Sequence, residues 1–150
     1  MNASGSGASG GRAAKSVFES PDELIAAPGR DLGTTAWTPV EAADVKAFVS
    51  ATGTPDLEGA VPPLFVLSVT NRFLPELLEV RGAASGVNYG TGRVRFPSPV
   101  RPGDRIRASA RLVGADEVPG GVQSTVEITV EVEGSGEPAC VVESLSRWMR

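Results

Sequence analysis

The chain has 150 residues, 41% hydrophobic and 21% charged, with a net charge of −4 and no histidine, which is enough for one domain burying roughly 70% of its unfolded surface around a single core. The acidic balance and the 5% aromatic content exclude the basic, stacking surface of a nucleic-acid binder. No apolar run approaches the roughly 20 residues of a membrane span, so no membrane partner is expected.

The amino-terminal stretch "MNASGSGASGGRAAK" is almost all Gly, Ser, Ala and Asn, a composition that cannot offset its ordering entropy. Residues 1–15 are therefore predicted to be a disordered Gly/Ser-rich tail and residues 16–150 the folded domain. Arg12 and Lys15 have no apolar run behind them, so the segment does not read as a secretory signal and a cytoplasmic location is expected. "GSGASGG" lies in this tail and not between a strand and a helix, which removes it as a dinucleotide loop.

"SPDELIAAPG" predicts a first short helix, with Ser20 as its cap, Pro21 at the first helical position, acids in the first turn and Gly29 as its stop. "TPVEAADVKAFVSATG" repeats the pattern: Thr38 caps, Pro39 opens, Glu41 sits third, and Val45, Phe48 and Val49 form an apolar stripe ended by Gly53. A third helix, "PPLFVLSVTNRFLPELL", carries apolar residues around nearly its whole circumference and is predicted to be buried, with Pro75 ending or kinking it.

After Gly82 the period changes to two. "GGVQSTVEITVEVEG" puts Val122, Ser124, Val126, Ile128, Val130 and Val132 on one face, and "DRIRASARLVG" puts Ile106, Ala108, Ala110 and Leu112 inside with Arg105, Arg107 and Arg111 outside, opposite outward glutamates. "VPGG" and "EGSGEP" are turns, and "GVNYGTGRVRF" and "ACVVESLSRWM" add two strands. A buried helix followed by one-faced antiparallel strands describes an α+β hot-dog fold, an antiparallel β-sheet wrapped around a long central helix. Its exposed sheet edge predicts a dimer. Cys140 reads as a small buried strand residue, unable to form an internal disulfide and, without histidine, part of no zinc site. Neither a metal nor a cofactor is expected. Trp37 and Trp148 read as packing anchors.

"GRDLGTTAWTPV", "FVSATG", "NYGTGRVRFPSPVRPGDRIR" and "PACVVES", in this order and spacing, resemble the MaoC-like hot-dog proteins, the (R)-specific enoyl-thioester hydratases and dehydratases, over roughly residues 17 to 148. The resemblance implies an acyl-thioester ligand delivered by coenzyme A or an acyl carrier protein. In that family the chemistry rests on an Asp directly after "ATG" and a His a few residues on. Here Thr54 stands in the Asp position and no histidine exists, with only about eight residues before the central helix, a short connection. The family also polarises the thioester carbonyl with backbone N–H groups at the start of that helix; this chain reads Pro62-Pro63-Leu64-Phe65, where Leu64 and Phe65 retain an N–H. The "PP" opening resembles the substrate-holding subunits of paired hydratases.

The candidate catalytic residues are Asp56 and Tyr89, and the candidate substrate-binding residues are Leu64, Phe65, Asn88, Gly90 and Arg93. Asp56, with Glu58, reads either as an acid/base pair or as a solvated turn. Tyr89 reads as a donor to ligand or as edge packing; Gly90 and Gly92 read as lining for a ligand or as a bulge. Arg93, Arg95, Arg101, Arg105 and Arg107 suit the phosphates of coenzyme A, a carrier surface, or pairing with glutamates. The function expected is that of a pseudo-hydratase subunit paired with a homologous chain that carries the dyad. Two alternatives are a homodimeric enzyme of altered chemistry (dehydration, cyclisation or thioester hydrolysis of a polyketide or fatty acyl substrate) and a non-catalytic module binding a hydrophobic metabolite.

Overall fold

The switch from helical to alternating periodicity divides the chain as its side chains require. The computed structural model describes residues 14–55 and 58–150; residues 1–13 of the expected tail and Asp56 lie outside them. The order is β1 (Ser16–Phe18), α1 (Asp22–Ile25), β2 (Asp31–Thr34), β3 (Thr38–Pro39), α2 (Ala42–Thr52), α3 (Pro63–Leu77), β4 (Leu78–Val80), β5 (Ser85–Arg95), β6 (Arg105–Val118), β7 (Gly121–Val132) and β8 (Pro138–Met149). Six strands form one antiparallel sheet in the order β2-β6-β7-β8-β5, with β3 also on β6, while β1 and β4 form a separate parallel pair.

The inward row is the one the alternation predicts. Ile106, Ala108, Ala110 and Leu112 of β6 pair with Val132, Val130, Ile128 and Val126 of β7, and all eight are buried. Cys140 and Val142 continue the row on β8. Helix α3 lies across this surface and buries Phe65, Val66, Thr70, Phe73 and Leu77. The few polar groups inside are partnered, as burial demands: Trp148 Nε1 donates to Ser124 Oγ at 2.9 Å, and Thr35 Oγ1 accepts the Ala108 N–H at 3.0 Å. Outside, Arg105 meets Glu133 at 3.2 Å and Arg107 meets Glu131 at 2.7 Å. Arg107 also stacks 4.4 Å over Trp37.

Three expectations fail. Thr38 and Pro39 do not start a helix; they pair with Ile106 and Arg105 as strand β3, and α2 begins only at Ala42, after Glu41 in extended geometry. Ser20 gives α1 its carbonyl and no hydroxyl cap, accepting the Glu23 N–H at 3.2 Å, while the Glu23 carboxylate takes the Glu19 N–H at 2.7 Å. Helix α3 is not covered all round, for Leu64, Ser68, Asn71 and Pro75 are exposed. Pro75 does not end α3 at the preceding residue, and the helix closes two residues later, where the Leu78 N–H reaches the Leu74 carbonyl. No helix among the described residues is long and apolar enough to cross a membrane.

Phe73, 1% exposed, sits in the middle of the helix-on-sheet contact. Phe73→Ala is expected to cost about 3–5 kcal/mol of stability by leaving a cavity. Val113→Ala, on a side chain 42% exposed, should stay within about 0.5 kcal/mol; chemical denaturation of the two variants checks the contrast.

Candidate functional site

Strand β5 is the last strand of the sheet, and every residue of it except Val94 is exposed. Two register shifts bend it: Tyr89 is the extra residue between the pairs Asn88↔Ser146 and Gly90↔Leu145, and a second shift falls between Thr91 and Val94. Such bulges turn an edge strand out of plane. Between β5 and the uncovered face of α3 runs a groove in two halves, each of about 290 Å³. The half nearer the start of α3 is walled by Leu67, Ser68, Thr70, Thr91 and Ser144. The other is more apolar, with Leu74, Leu78, Val80, Val87 and Trp148. Asn71 and Asn88 line both halves, and Asn88 Nδ2 donates to Asn71 Oδ1 at 2.9 Å.

Of the residues singled out from the sequence, Asn88, Tyr89 and Gly90 come together along this groove. The Tyr89 ring, however, lies on the Arg147 guanidinium at 3.6 Å, and Arg147 Nε donates to Gln123 at 3.0 Å on the outward face of the sheet. Leu64 is 58% exposed on the first turn of α3, whereas Phe65 is buried edge-on against Phe48 at 5.7 Å. Arg93 is exposed on β5 within the second bulge. Glu58 sits in an exposed turn with φ of 55°, followed by Gly59 at 79°. Sequence reasoning missed Asn71. Its signal was available: Leu64, Ser68, Asn71 and Pro75 recur at helical spacing and mark one face.

A larger hollow of about 550 Å³ lies between α2 and the segment leading into α3, walled by Val45, Val49, Pro55, Ala60 and Pro62, with Lys46 among its residues. Among the described residues no cluster of His, Cys, Asp or Glu is arranged to hold a metal ion.

No family model matches the chain. It is 38% identical over 148 residues to 3-hydroxyacyl-thioester dehydratase Z of Mycobacterium tuberculosis, covering 89% of this chain and 98% of that protein. The chain belongs to the MaoC-like hot-dog family of thioester hydratases and dehydratases. It is also 30% identical to nodulation protein N of Rhizobium leguminosarum, over 74% of this chain and 80% of that protein. Among solved structures, the fold matches a MaoC-like dehydratase from Rhodospirillum rubrum at a TM-score of 0.66, with 22% identity over 86% of this chain and 95% of the other. It matches the (R)-hydratase from A. caviae at 0.64, with 18% identity over 81% and 96%. The ChsH1-ChsH2 complex from Mycobacterium tuberculosis matches at 0.58, with 12% identity over 87% and 94%.

The MaoC-like frame gives two further positions their meaning. Thr54, in the place where the resemblance expects an Asp, has its hydroxyl 2.6 Å from Thr52 Oγ1, which itself donates to the Phe48 carbonyl at 2.8 Å. That hydroxyl closes off the end of α2. At the start of α3, the Pro62 carbonyl accepts the Phe65 N–H at 2.9 Å and the Val66 N–H at 3.4 Å. Of the two amides expected to face a carbonyl, Phe65 is thus engaged within its own turn, which leaves Leu64.

Cys140 faces Val130 on the inward row, and burial pushes its thiol up to about 11. A raised value keeps the neutral thiol at ordinary pH, and only the thiolate is nucleophilic. Alkylation by iodoacetamide at pH 8 should therefore be slow in the native protein and fast once denaturant opens the sheet, as timed mass measurements would record.

Proposed function

We propose that the chain binds an acyl thioester in the groove between α3 and β5 and acts as the substrate-holding member of a pair of homologous hot-dog chains, its partner carrying the acid/base residues. The observation that carries this reading is the total absence of histidine in a chain that keeps a formed groove. The family dyad has no second member here, and Thr54 is committed to Thr52. General acid/base catalysis in this family needs a group that exchanges a proton with the α-carbon and with water. Leucine, threonine and asparagine side chains do not titrate near neutrality and cannot take that role.

The pairing rests on β5. Eleven residues of edge strand with both faces exposed present a row of unpaired backbone groups, which a second chain satisfies by adding its own edge. The same contact would cover the open face of α3. The heteromeric form of the reading draws on the solved ChsH1-ChsH2 complex as a structural neighbour made of two different proteins. The exposed Arg93 and Arg95 on β5 suit the phosphates of coenzyme A or an acidic carrier, which supports a reading with the carrier end of the ligand along that strand.

A second reading is favoured by the 38% identity, across nearly its whole length, to a protein named as a 3-hydroxyacyl-thioester dehydratase. Here the chain forms a homodimer and is catalytic by altered chemistry. Asp56 and the Leu64 amide are its means, promoting dehydration, cyclisation or thioester hydrolysis. A third arrangement, a homodimeric binding module for a hydrophobic metabolite, uses the same groove with no turnover.

Native mass spectrometry of the protein from its own cells, with an assay of water addition to crotonyl and longer enoyl thioesters, separates these readings. The paired reading expects a complex with a second hot-dog chain, and activity ~100-fold or more lower when this chain is assayed alone, the scale of a lost acid/base group. A homodimer that binds enoyl thioesters and turns none over overturns the pairing and leaves the binding module; a homodimer whose activity falls in Asp56→Asn establishes the altered chemistry.

A further inference from the structure

On the reading that the α3–β5 groove takes the acyl thioester, the geometry points to Asn71 as the residue that sets acyl-chain length. The groove is not one cavity. Asn71 on α3 and Asn88 on β5 reach across it, join at 2.9 Å and leave about 290 Å³ on either side. Each half lies at the small end of ligand-site volumes, whereas the two together would fall well inside the usual range.

The two halves differ in the chemistry they offer. The half toward the start of α3 has the hydroxyls of Thr91 and Ser144, with Ser68 and Thr70 giving their protons to the Leu64 and Leu67 carbonyls and keeping only acceptor capacity, and suits the thioester and the amide-bearing arm. Beyond the asparagine pair, Leu74, Leu78, Val80 and Trp148 form walls for hydrocarbon. A short acyl group ends before the pair. A long one reaches the apolar half only by displacing it. Since a hydrogen bond between exposed amides is weak against competing water, the pair is a threshold for long chains and not a wall.

The crossing is polar as well as narrow. The side-chain amides of Asn71 and Asn88 stand at the middle of the groove, and hydrocarbon cannot satisfy them. Desolvating such groups disfavours an apolar tail at that point, which adds a chemical term to the steric one.

The test measures binding of butyryl, octanoyl and dodecanoyl thioesters to the full chain by calorimetry, each presented on coenzyme A and on acyl carrier protein so that the carrier that supports binding is identified. The wild-type protein should prefer butyryl to dodecanoyl. Asn71→Ala should raise the dodecanoyl-to-butyryl affinity ratio about tenfold or more, and Asn71→Leu, which keeps bulk in the groove but removes the amide, should raise it by a smaller factor. Asn71 is exposed on a helix where alanine is the better helix former, and melting curves confirm that the variants fold. If the wild type binds butyryl thioesters and the ratio does not move in Asn71→Ala, the length gate is overturned while the groove reading stands. If no acyl thioester binds on either carrier, both fall.

Discussion

One contact organises this molecule: the buried face of α3 against the inward rows of β6, β7 and β8. A fifteen-residue helix spans roughly 22 Å, enough to cross several strands at their spacing of about 5 Å. Phe65, Val66, Phe73 and Leu77 meet a sheet surface of valines, isoleucine and alanines. Ala108 and Ala110 are the small residues of this surface, and Phe73 is the more deeply buried of the two phenylalanines that α3 brings to it. The remaining elements are placed by it. Helix α2 is held by the edge-on contact of Phe48 with Phe65, and β4 continues directly from the last turn of α3 to pair with β1.

The same contact explains the groove. A helix laid on one side of a sheet has only one face covered, and among the described residues no further element covers the face that Leu64, Ser68, Asn71 and Pro75 mark. Strand β5 lies close on β8 at two glycines: a Cβ on Gly86 would stand 2.7 Å from the Trp148 ring, and one on Gly92 would stand 2.5 Å from the Glu143 carboxylate. Edge, open helix face and groove are thus one consequence of a single-sided packing arrangement. On the proposed reading, a partner chain added at the β5 edge would roof this groove and enclose an acyl ligand lying in it.

How much of this was legible in the sequence follows from the length scale of each signal. Strands β6 and β7 announce themselves because alternation over a dozen residues has no competing explanation, and the inward sets Ile106 to Leu112 and Val122 to Val132 are buried as read. The start of α2 was misread because Thr38-Pro39 has the local grammar of a cap, while its true role, pairing with Ile106 and Arg105, depends on residues far along the chain. The short strands β1, β2 and β4 escaped for the same reason. In α3 the apolar count hid the face: Leu67, Val69 and Leu74 are half-buried, and the polar pair Ser68 and Asn71 marked the open side more reliably than the leucines marked the closed one. Tyr89 was legible as part of the groove strand but not in its direction, since a bulge at that residue and the guanidinium of Arg147 decide where the ring goes.

On the proposed reading, binding and acid/base chemistry fall in different parts of this fold, and those parts are constrained unequally. The groove is made of residues that also hold the sheet together: Trp148 is tied to the buried Ser124 and packs beside Gly86, and Leu78 and Val80 belong to the β1–β4 pair. Changing them disturbs folding as well as ligand. The connection between α2 and α3 carries less of this burden at its described exposed positions, although Val61 at its end is buried in the core. Thr54 is satisfied by its neighbour Thr52, and Glu58 stands in an exposed turn, so substitutions there leave the core untouched. On the proposed paired reading, a chain freed from selection for proton transfer would drift at those exposed positions first while its groove stays in place, and the absence of histidine beside a formed α3–β5 groove fits that expectation.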